Sequence, residues 1–333
     1  MPLYDLPQRP RRLRRTANTR RLARETHLST DDLIQPLFVM AGESEREAIG
    51  SMPGQYRLTV DQLVEEAREL DRLGIPGVAL FPKIPYPRKT PDASHALDED
   101  GLYPTAIRTL KSEVPDLLVI TDTALDPYNS DGHDGIVRHG DIDNDATLDV
   151  MRKIAILHAE SGADIVAPSD MMDGRIGAIR SALDAAGHVS TALMSYTAKY
   201  ASAYYGPFRD ALDSAPRHRE GIPDDKSTYQ MDPSNSDEAL RELRLDLSEG
   251  ADFVMVKPAL PYLDVVRRMK EASDVPVVAY NVSGEYAMIK AAASNGWLDE
   301  RAGALEALTS IRRAGADVIL TYFAKQAAAW ISE

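Results

Sequence analysis

The chain has 333 residues with 44% apolar content, enough for one large closed core or two ordinary domains, and its formal net charge of −14 argues against nucleic acid as a partner. The absence of cysteine excludes disulfides, thiolate metal sites and cysteine nucleophiles. No apolar run reaches membrane-spanning length and the start lacks the apolar stretch of a secretory signal, so a cytoplasmic protein with no membrane partner is expected.

Residues 1–30 read as an extended N-terminal arm. Arg9, Arg11, Arg12, Arg14, Arg15, Arg20, Arg21 and Arg24 make it basic, whereas the rest of the chain is acidic. Such an arm can bind RNA or phosphates. With Pro2, Pro7 and Pro10, no apolar stripe and an acidic body behind it, the arm is expected instead to lie on an acidic surface of a sister subunit.

From residue 31 onward, eight continuously apolar runs recur: Leu33 to Val39, Gly77 to Phe81, Leu117 to Leu125, Asp164 to Ser169, Thr191 to Thr197, Asp252 to Pro258, Val275 to Val282 and Asp317 to Phe323. Continuous rather than alternating apolarity is the mark of strands covered on both faces. Between them lie amphipathic stretches such as Thr59 to Leu73, Leu148 to Ser161, Ser236 to Glu249, Tyr262 to Glu271 and Gly284 to Asn295. This alternation predicts a (β/α)8 TIM barrel over residues 31–333. Three helices end in one phrase, Ser161-Gly-Ala-Asp164, Glu249-Gly-Ala-Asp252 and Ala314-Gly-Ala-Asp317, in which glycine supplies a left-handed C-cap. A doubly wound fold would need Gly-x-Gly-x-x-Gly after the first strand, and none is present. Two long connections, residues 82–104 and 200–235, interrupt the barrel, and the second is the expected lid.

A barrel enzyme works at the C-terminal ends of its strands. The polar residues there are Asp122, Ser169 with Asp170, Lys199, Lys257, Ser283 and Tyr322. Desolvation and a neighbouring like charge both push a lysine toward the neutral amine that attacks carbonyls, so Lys199 and Lys257 on adjacent strands point to Schiff-base chemistry. Arg209, Lys226 and Gln230 in the lid suit a loop that donates to a carboxylate.

Six phrases together resemble the porphobilinogen synthase (δ-aminolevulinate dehydratase) family: Pro168-Ser-Asp-Met-Met-Asp-Gly-Arg175, Ala198-Lys-Tyr-Ala-Ser-Ala-Tyr-Tyr-Gly-Pro-Phe-Arg209, Tyr229-Gln-Met-Asp-Pro233, Val256-Lys-Pro258, Val282-Ser-Gly-Glu-Tyr286 and Thr321-Tyr-Phe323. The resemblance runs from about residue 10 to the C-terminus. It implies a lyase that condenses two 5-aminolevulinate molecules to porphobilinogen, with loss of two waters, for tetrapyrrole and heme synthesis. By the same resemblance, Lys257 engages the substrate that supplies the propionate side and Lys199 the second. Ser283 and Tyr322 would grip the first carboxylate and Arg209 and Lys226 the second, with Asp122 and Ser169 in proton transfer and amine orientation and Gln230 a secondary lid contact. A class I Schiff-base aldolase is the nearest alternative, but needs only one such lysine.

Many family members carry a zinc-binding cysteine motif after the third strand. Here Ala124, Asp126 and Asp134 stand where the cysteines would fall, so the thiolate zinc site is absent and the chain resembles the magnesium-responsive branch. Lys226, in place of an arginine, fits that branch too. Asp126 and Asp134 are candidate ligands for a catalytic magnesium or monovalent cation, with solvated loop aspartates the alternative. Glu242 matches the family's allosteric magnesium ligand at a subunit contact. An arm-exchanged homo-octamer is implied as well. The stretch Asp141-Ile-Asp143-Asn-Asp145 opens like an EF-hand, but Ala146 and Arg152 fall where glycine and glutamate are required, and a turn is expected.

Overall fold

A computed structural model describes residues 6–217 and 219–333, which leaves Pro2 of the predicted arm outside the described residues. Eight parallel strands form the barrel: β1 Leu33–Met40, β2 Gly77–Lys83, β3 Leu118–Thr123, β4 Ile165–Pro168, β5 Ala192–Lys199, β6 Phe253–Lys257, β7 Val277–Asn281 and β8 Val318–Thr321. Each pairs with the next in chain order, and β8 returns to β1 with Leu33 opposite Ile319 and Ile34 opposite Leu320, which closes the sheet. All eight residues of β1 are buried, as the absence of alternation required. A small flap follows β1, in which Tyr56–Leu58 runs parallel to the end of β1 and Arg46–Ala48 antiparallel to Tyr56–Leu58.

The repeated Gly-Ala-Asp phrase does more than cap helices. Gly162, Gly250 and Gly315 have φ of 102°, 99° and 126°, a region that suits glycine. The aspartate two residues later joins the preceding strand through a reciprocal pair of hydrogen bonds. Val119 N donates to Asp164 Oδ2, Leu193 N to Asp252 Oδ2 and Val277 N to Asp317 Oδ2, each at 2.8 Å. In return the backbone N–H groups of Asp164, Asp252 and Asp317 donate to the carbonyls of Val119, Leu193 and Val277. Lys111 and Lys270 bind the Asp164 and Asp317 carboxylates at 2.9 and 2.7 Å. Each phrase thus sets the register of one strand pair at the bottom of the barrel.

Two expectations change. The helix expected from Leu148 begins at Asn144, because Asp143 Oδ1 accepts from Ala146 N at 3.0 Å and caps it. The EF-hand-like stretch is therefore a short strand, Asp141–Asp143, paired with Ile136–Arg138 and running into a helix cap, rather than a turn. The lid also contains a helix, Gly206–Leu212, started by Pro207 in its first turn.

The arm holds a short turn, Pro10–Arg14, and a helix, Ala17–Leu22, capped by Thr16. Residues 6–25 are all exposed except the half-buried Thr19. No helix among the described residues is long and apolar enough to cross a membrane. Asp164→Ala should lower unfolding free energy by about 1–2 kcal/mol, because it leaves Val119 N without its side-chain acceptor and Lys111 with only the carbonyls of Pro115 and Leu117. A urea midpoint equal to wild type would show that this link adds nothing.

Candidate active site

The two lysines meet because β5 has one residue too many. Its pairing with β6 sets Val254 opposite Ser195 but Val256 opposite Ala198, so three steps along β5 match two along β6. Such a bulge shifts the register by one and reverses the faces beyond it. Without it Lys257 would stand opposite Ala198. With it, Lys257 stands opposite Lys199, and Tyr196 and Lys199, three residues apart, share the inner face. The Nζ atoms of Lys257 and Lys199 lie 4.9 and 6.0 Å from the centroid of that one Tyr196 ring.

Their surroundings differ sharply. Lys257 Nζ is enclosed by Tyr280, Tyr196, Phe208 and Tyr205, with ring centroids at 4.6, 4.9, 5.0 and 5.3 Å, and makes no hydrogen bond among the described residues. Burial, and then the charge of Lys199, pull its pKa from 10.5 down to about 7, against the opposing pull of Asp122, Asp134 and Asp126. Lys199 instead donates to the Ser169 carbonyl and pairs with Asp134 Oδ2 at 3.3 Å. Lys257 is thus an amine without a hydrogen-bond partner among the described residues, whereas Lys199, its counterpart in the expected neutral pair, stands in an ion pair.

Asp126 and Asp134 are buried, not solvated. Lys226 Nζ reaches Asp134 Oδ1 at 2.8 Å and Asp126 Oδ2 at 3.5 Å, and Gln230 Nε2 donates to Asp134 Oδ2 at 3.3 Å. Burial alone would raise the Asp134 pKa, but the charges and hydrogen bonds of Lys199 and Lys226 bring it below the usual carboxylate range. The charged partners these two candidate metal ligands show are ammonium groups. Among the described residues no group of three or more histidine, aspartate or glutamate side chains is gathered as a metal site.

Asp122 lies at the end of β3. Burial, and then Asp126, raise its pKa to about 7, while a hydrogen bond to Ser169 and the charges of Lys257 and Lys199 oppose the rise. Its Oδ1 has no partner among the described residues. Asp122 N donates to Tyr103 Oη at 2.9 Å, and Tyr103 in turn donates to the Leu80 carbonyl at 2.6 Å. Tyr322 Oη meets Tyr280 Oη at 2.9 Å, which places it behind one wall of the Lys257 cage. Ser283 Oγ accepts from Phe208 N at 3.0 Å, at the start of helix Ser283–Ser294. Arg209 is half-buried on the lid helix and makes no ion pair among the described residues. Asp170 turns away from the lysines: its Oδ1 accepts from Met172 N at 2.6 Å and its Oδ2 lies 3.9 Å from Arg175 Nε.

The lid is shut. Met231 N donates to the Lys199 carbonyl and Ala201 N to the Met231 carbonyl, which ties the end of the lid to the end of β5. His133 Nε2 meets the Pro223 carbonyl at 2.9 Å. Lys199, Lys226 and Lys257 are 5%, 6% and 5% exposed, so a substrate enters only when this cover moves.

The sequence profile of the delta-aminolevulinic acid dehydratase family matches residues 7–330. The chain belongs to that family. The delta-aminolevulinic acid dehydratase of Bradyrhizobium diazoefficiens is 54% identical over 327 residues, covering 98% of this chain and 92% of that protein. The Synechococcus elongatus protein of the same name is 53% identical over 328 residues, covering 97% and 98%. A crystal structure of the Toxoplasma gondii delta-aminolevulinic acid dehydratase (porphobilinogen synthase), in complex with the reaction product porphobilinogen, superposes with a TM-score of 0.94. It is 51% identical and covers 98% of this chain and 92% of that one.

Within this dehydratase fold, Glu242 lies apart from the lysines, half-buried on helix Asp237–Glu249. It borders a cavity of about 430 Å³ that Asp141, Asn144, Asp173 and Glu238 also line. Burial raises its pKa, and nearby Arg175 opposes the rise. The residues that sequence reading missed are the cage rings Tyr196, Tyr205, Phe208 and Tyr280. Tyr205 and Phe208 stand inside a quoted phrase, but Tyr196 comes to the inner face only through the bulge.

With its pKa near 7, Lys257 should be reductively trapped by a keto acid and borohydride at a rate that rises with pH through about 7 and levels above it. Lys199→Met removes a like charge, so the curve should move to higher pH. A midpoint near that of an ordinary lysine in the wild type would contradict this account of the cage.

Proposed function

We propose that this pocket performs the Schiff-base condensation of two 5-aminolevulinate molecules to porphobilinogen, with loss of two waters, as a lyase step of heme and tetrapyrrole synthesis. The observation that carries the reading is the pair of lysine amines over one tyrosine ring, in a chain of this family. The Lys257 amine adds to the ketone of the first substrate, and loss of water leaves an iminium that acidifies the adjacent carbon. Lys199 engages the second ketone once its hold on Asp134 is released. Asp122, with its pKa raised toward neutrality and a free Oδ1, is suited to take and return protons, and Ser169 orients it.

Ser283 and Tyr322 would hold the carboxylate of the first substrate beside the Lys257 cage. Arg209, with no ion pair among the described residues, and Lys226 would hold the second. Gln230, whose Oε1 has no partner among the described residues, would add a lid contact. The closed lid excludes the water that would hydrolyse an imine.

Cofactor and assembly belong to the same proposal. The lining of the cavity at Glu242 offers carboxylate and amide oxygens from Asp141, Asn144, Asp173, Glu238 and Glu242 and no thiolate, its only sulfurs being methionine thioethers, which fits a magnesium ion that keeps most of its water. Glu242 would be its ligand and its effect allosteric. At Asp126 and Asp134 two lysines already supply positive charge, so a catalytic magnesium or monovalent cation there would have to displace them. The exposed arm, with Leu13 58% and Leu22 90% exposed, suits an element exchanged between subunits of a cytoplasmic homo-octamer.

Lys257→Ala should abolish porphobilinogen formation while circular dichroism and the unfolding midpoint stay at wild-type values. Turnover by that variant would refute the assignment. Glu242→Ala should keep basal turnover and lose stimulation by added magnesium, read together with the mass of the assembly with and without the ion. An unchanged response in both would remove Glu242 from the role.

A further inference from the structure

The lid helix Gly206–Leu212 has only seven residues, too few to hold together on its own. It nevertheless carries both Phe208, a wall of the Lys257 cage, and Arg209. Its N-terminal end is fixed by Phe208 N on Ser283 Oγ. Its C-terminal end exposes carbonyls that no further turn can satisfy. Two cations from elsewhere in the chain take them. Arg57, on the flap strand Tyr56–Leu58, donates from Nε to the Ala211 carbonyl at 2.6 Å and from Nη2 to the Asp210 carbonyl at 2.8 Å. Lys89, in the long connection after β2, donates from Nζ to the Asp213 carbonyl at 2.7 Å and the Leu212 carbonyl at 3.4 Å. Four consecutive carbonyls are thereby satisfied by positive groups, the sign that the C-terminal end of a helix attracts.

Both side chains are buried, Arg57 8% and Lys89 7% exposed. Arg57 has a carboxylate partner in Glu47. Lys89 has no hydrogen bond or ion pair to a carboxylate among the described residues and is held by carbonyls alone. A buried ammonium in that setting costs stability, so a purely stabilising role is a poor account of it. We propose that Arg57 and Lys89 are positioning residues that hold the lid helix, and with it Arg209 and Phe208, over the Schiff-base lysine. The proposal deepens the reading of Lys257 and Arg209 given above and rests on it. Without the clamp the helix pivots about its Ser283 end. Arg209, nearer the freed end than Phe208, then loses its place over the second substrate.

Lys89→Met keeps the stem and removes the charge, Lys89→Arg keeps the charge, and Arg57→Lys removes one arm of the fork. Lys89→Met and Arg57→Lys should each raise KM for 5-aminolevulinate roughly tenfold, the effect of losing one charge-assisted hydrogen bond. Borohydride trapping at Lys257 under saturating 5-aminolevulinate should stay complete in both, and Lys89→Arg should return KM toward wild type. Where Arg57→Lys fails to fold, the Lys89 pair carries the test. Wild-type KM in Lys89→Met, or a change confined to kcat and the melting temperature, overturns the clamp while trapping at Lys257 still supports the site. Trapping of the wild type at another residue overturns the site reading and the clamp with it.

Discussion

One extra residue in β5 decides whether this barrel has a reaction centre. Strand side chains alternate with a period of two, so Tyr196 and Lys199 belong on opposite faces of a regular strand, and Lys199 would turn toward the surrounding helices. The bulge between the Val254 and Val256 pairings reverses the last part of the strand and brings Lys199 opposite Lys257. It succeeds because the bottom of the same strand pair is fixed by Asp252, which holds Leu193 by two reciprocal bonds. Register is set at one end and altered once on the way to the other. The catalytic geometry is therefore a property of backbone pairing before it is a property of side chains.

This explains how much the sequence could reveal. Barrel strands are buried on both faces, so their apolarity is continuous and easily read, and all eight runs became strands. Lys199, Lys257, Asp122 and Ser169 were legible because they close such runs. The cage was not. Tyr196 is a strand residue like any other until the register is known, and a bulge leaves no residue-type signature here. Asp143 was hidden for a different reason: it stands in a stretch that opens like an EF-hand and, with Ala146 and Arg152 ruling that out, reads as a turn, and only the backbone shows it capping a helix. Arg57 and Lys89 lie far in sequence from the helix they hold, and no local pattern links them to it.

The site separates two chemically identical amines by what surrounds them. Aromatic rings remove water from Lys257 without supplying a hydrogen-bond acceptor, so burial, helped by the charge of Lys199, outweighs the opposing pull of Asp122, Asp134 and Asp126. A few ångströms away, Lys199 and Lys226 share the carboxylate of Asp134. Interchanging these environments would leave the same composition and a different enzyme, because an amine held in an ion pair is not a free nucleophile. Asp122 completes the contrast: it shares the burial of Asp134 without a lysine in hydrogen-bond contact, and its pKa moves the opposite way.

Asp134 also joins the cover to the floor. It receives Lys199 from the end of β5, and Lys226 and Gln230 from the lid, on a single carboxylate. When the lid lifts, two of those three donors leave together, and Asp134 is left with Lys199 and incoming water. A water-exposed carboxylate binds an ammonium less tightly than a buried one. A movement that admits substrate would therefore also loosen the ion pair at Lys199 and free Lys226 for another carboxylate. Access to the pocket and release of the second amine would in this way be two consequences of one motion, linked through the shared acceptor rather than through a distant relay.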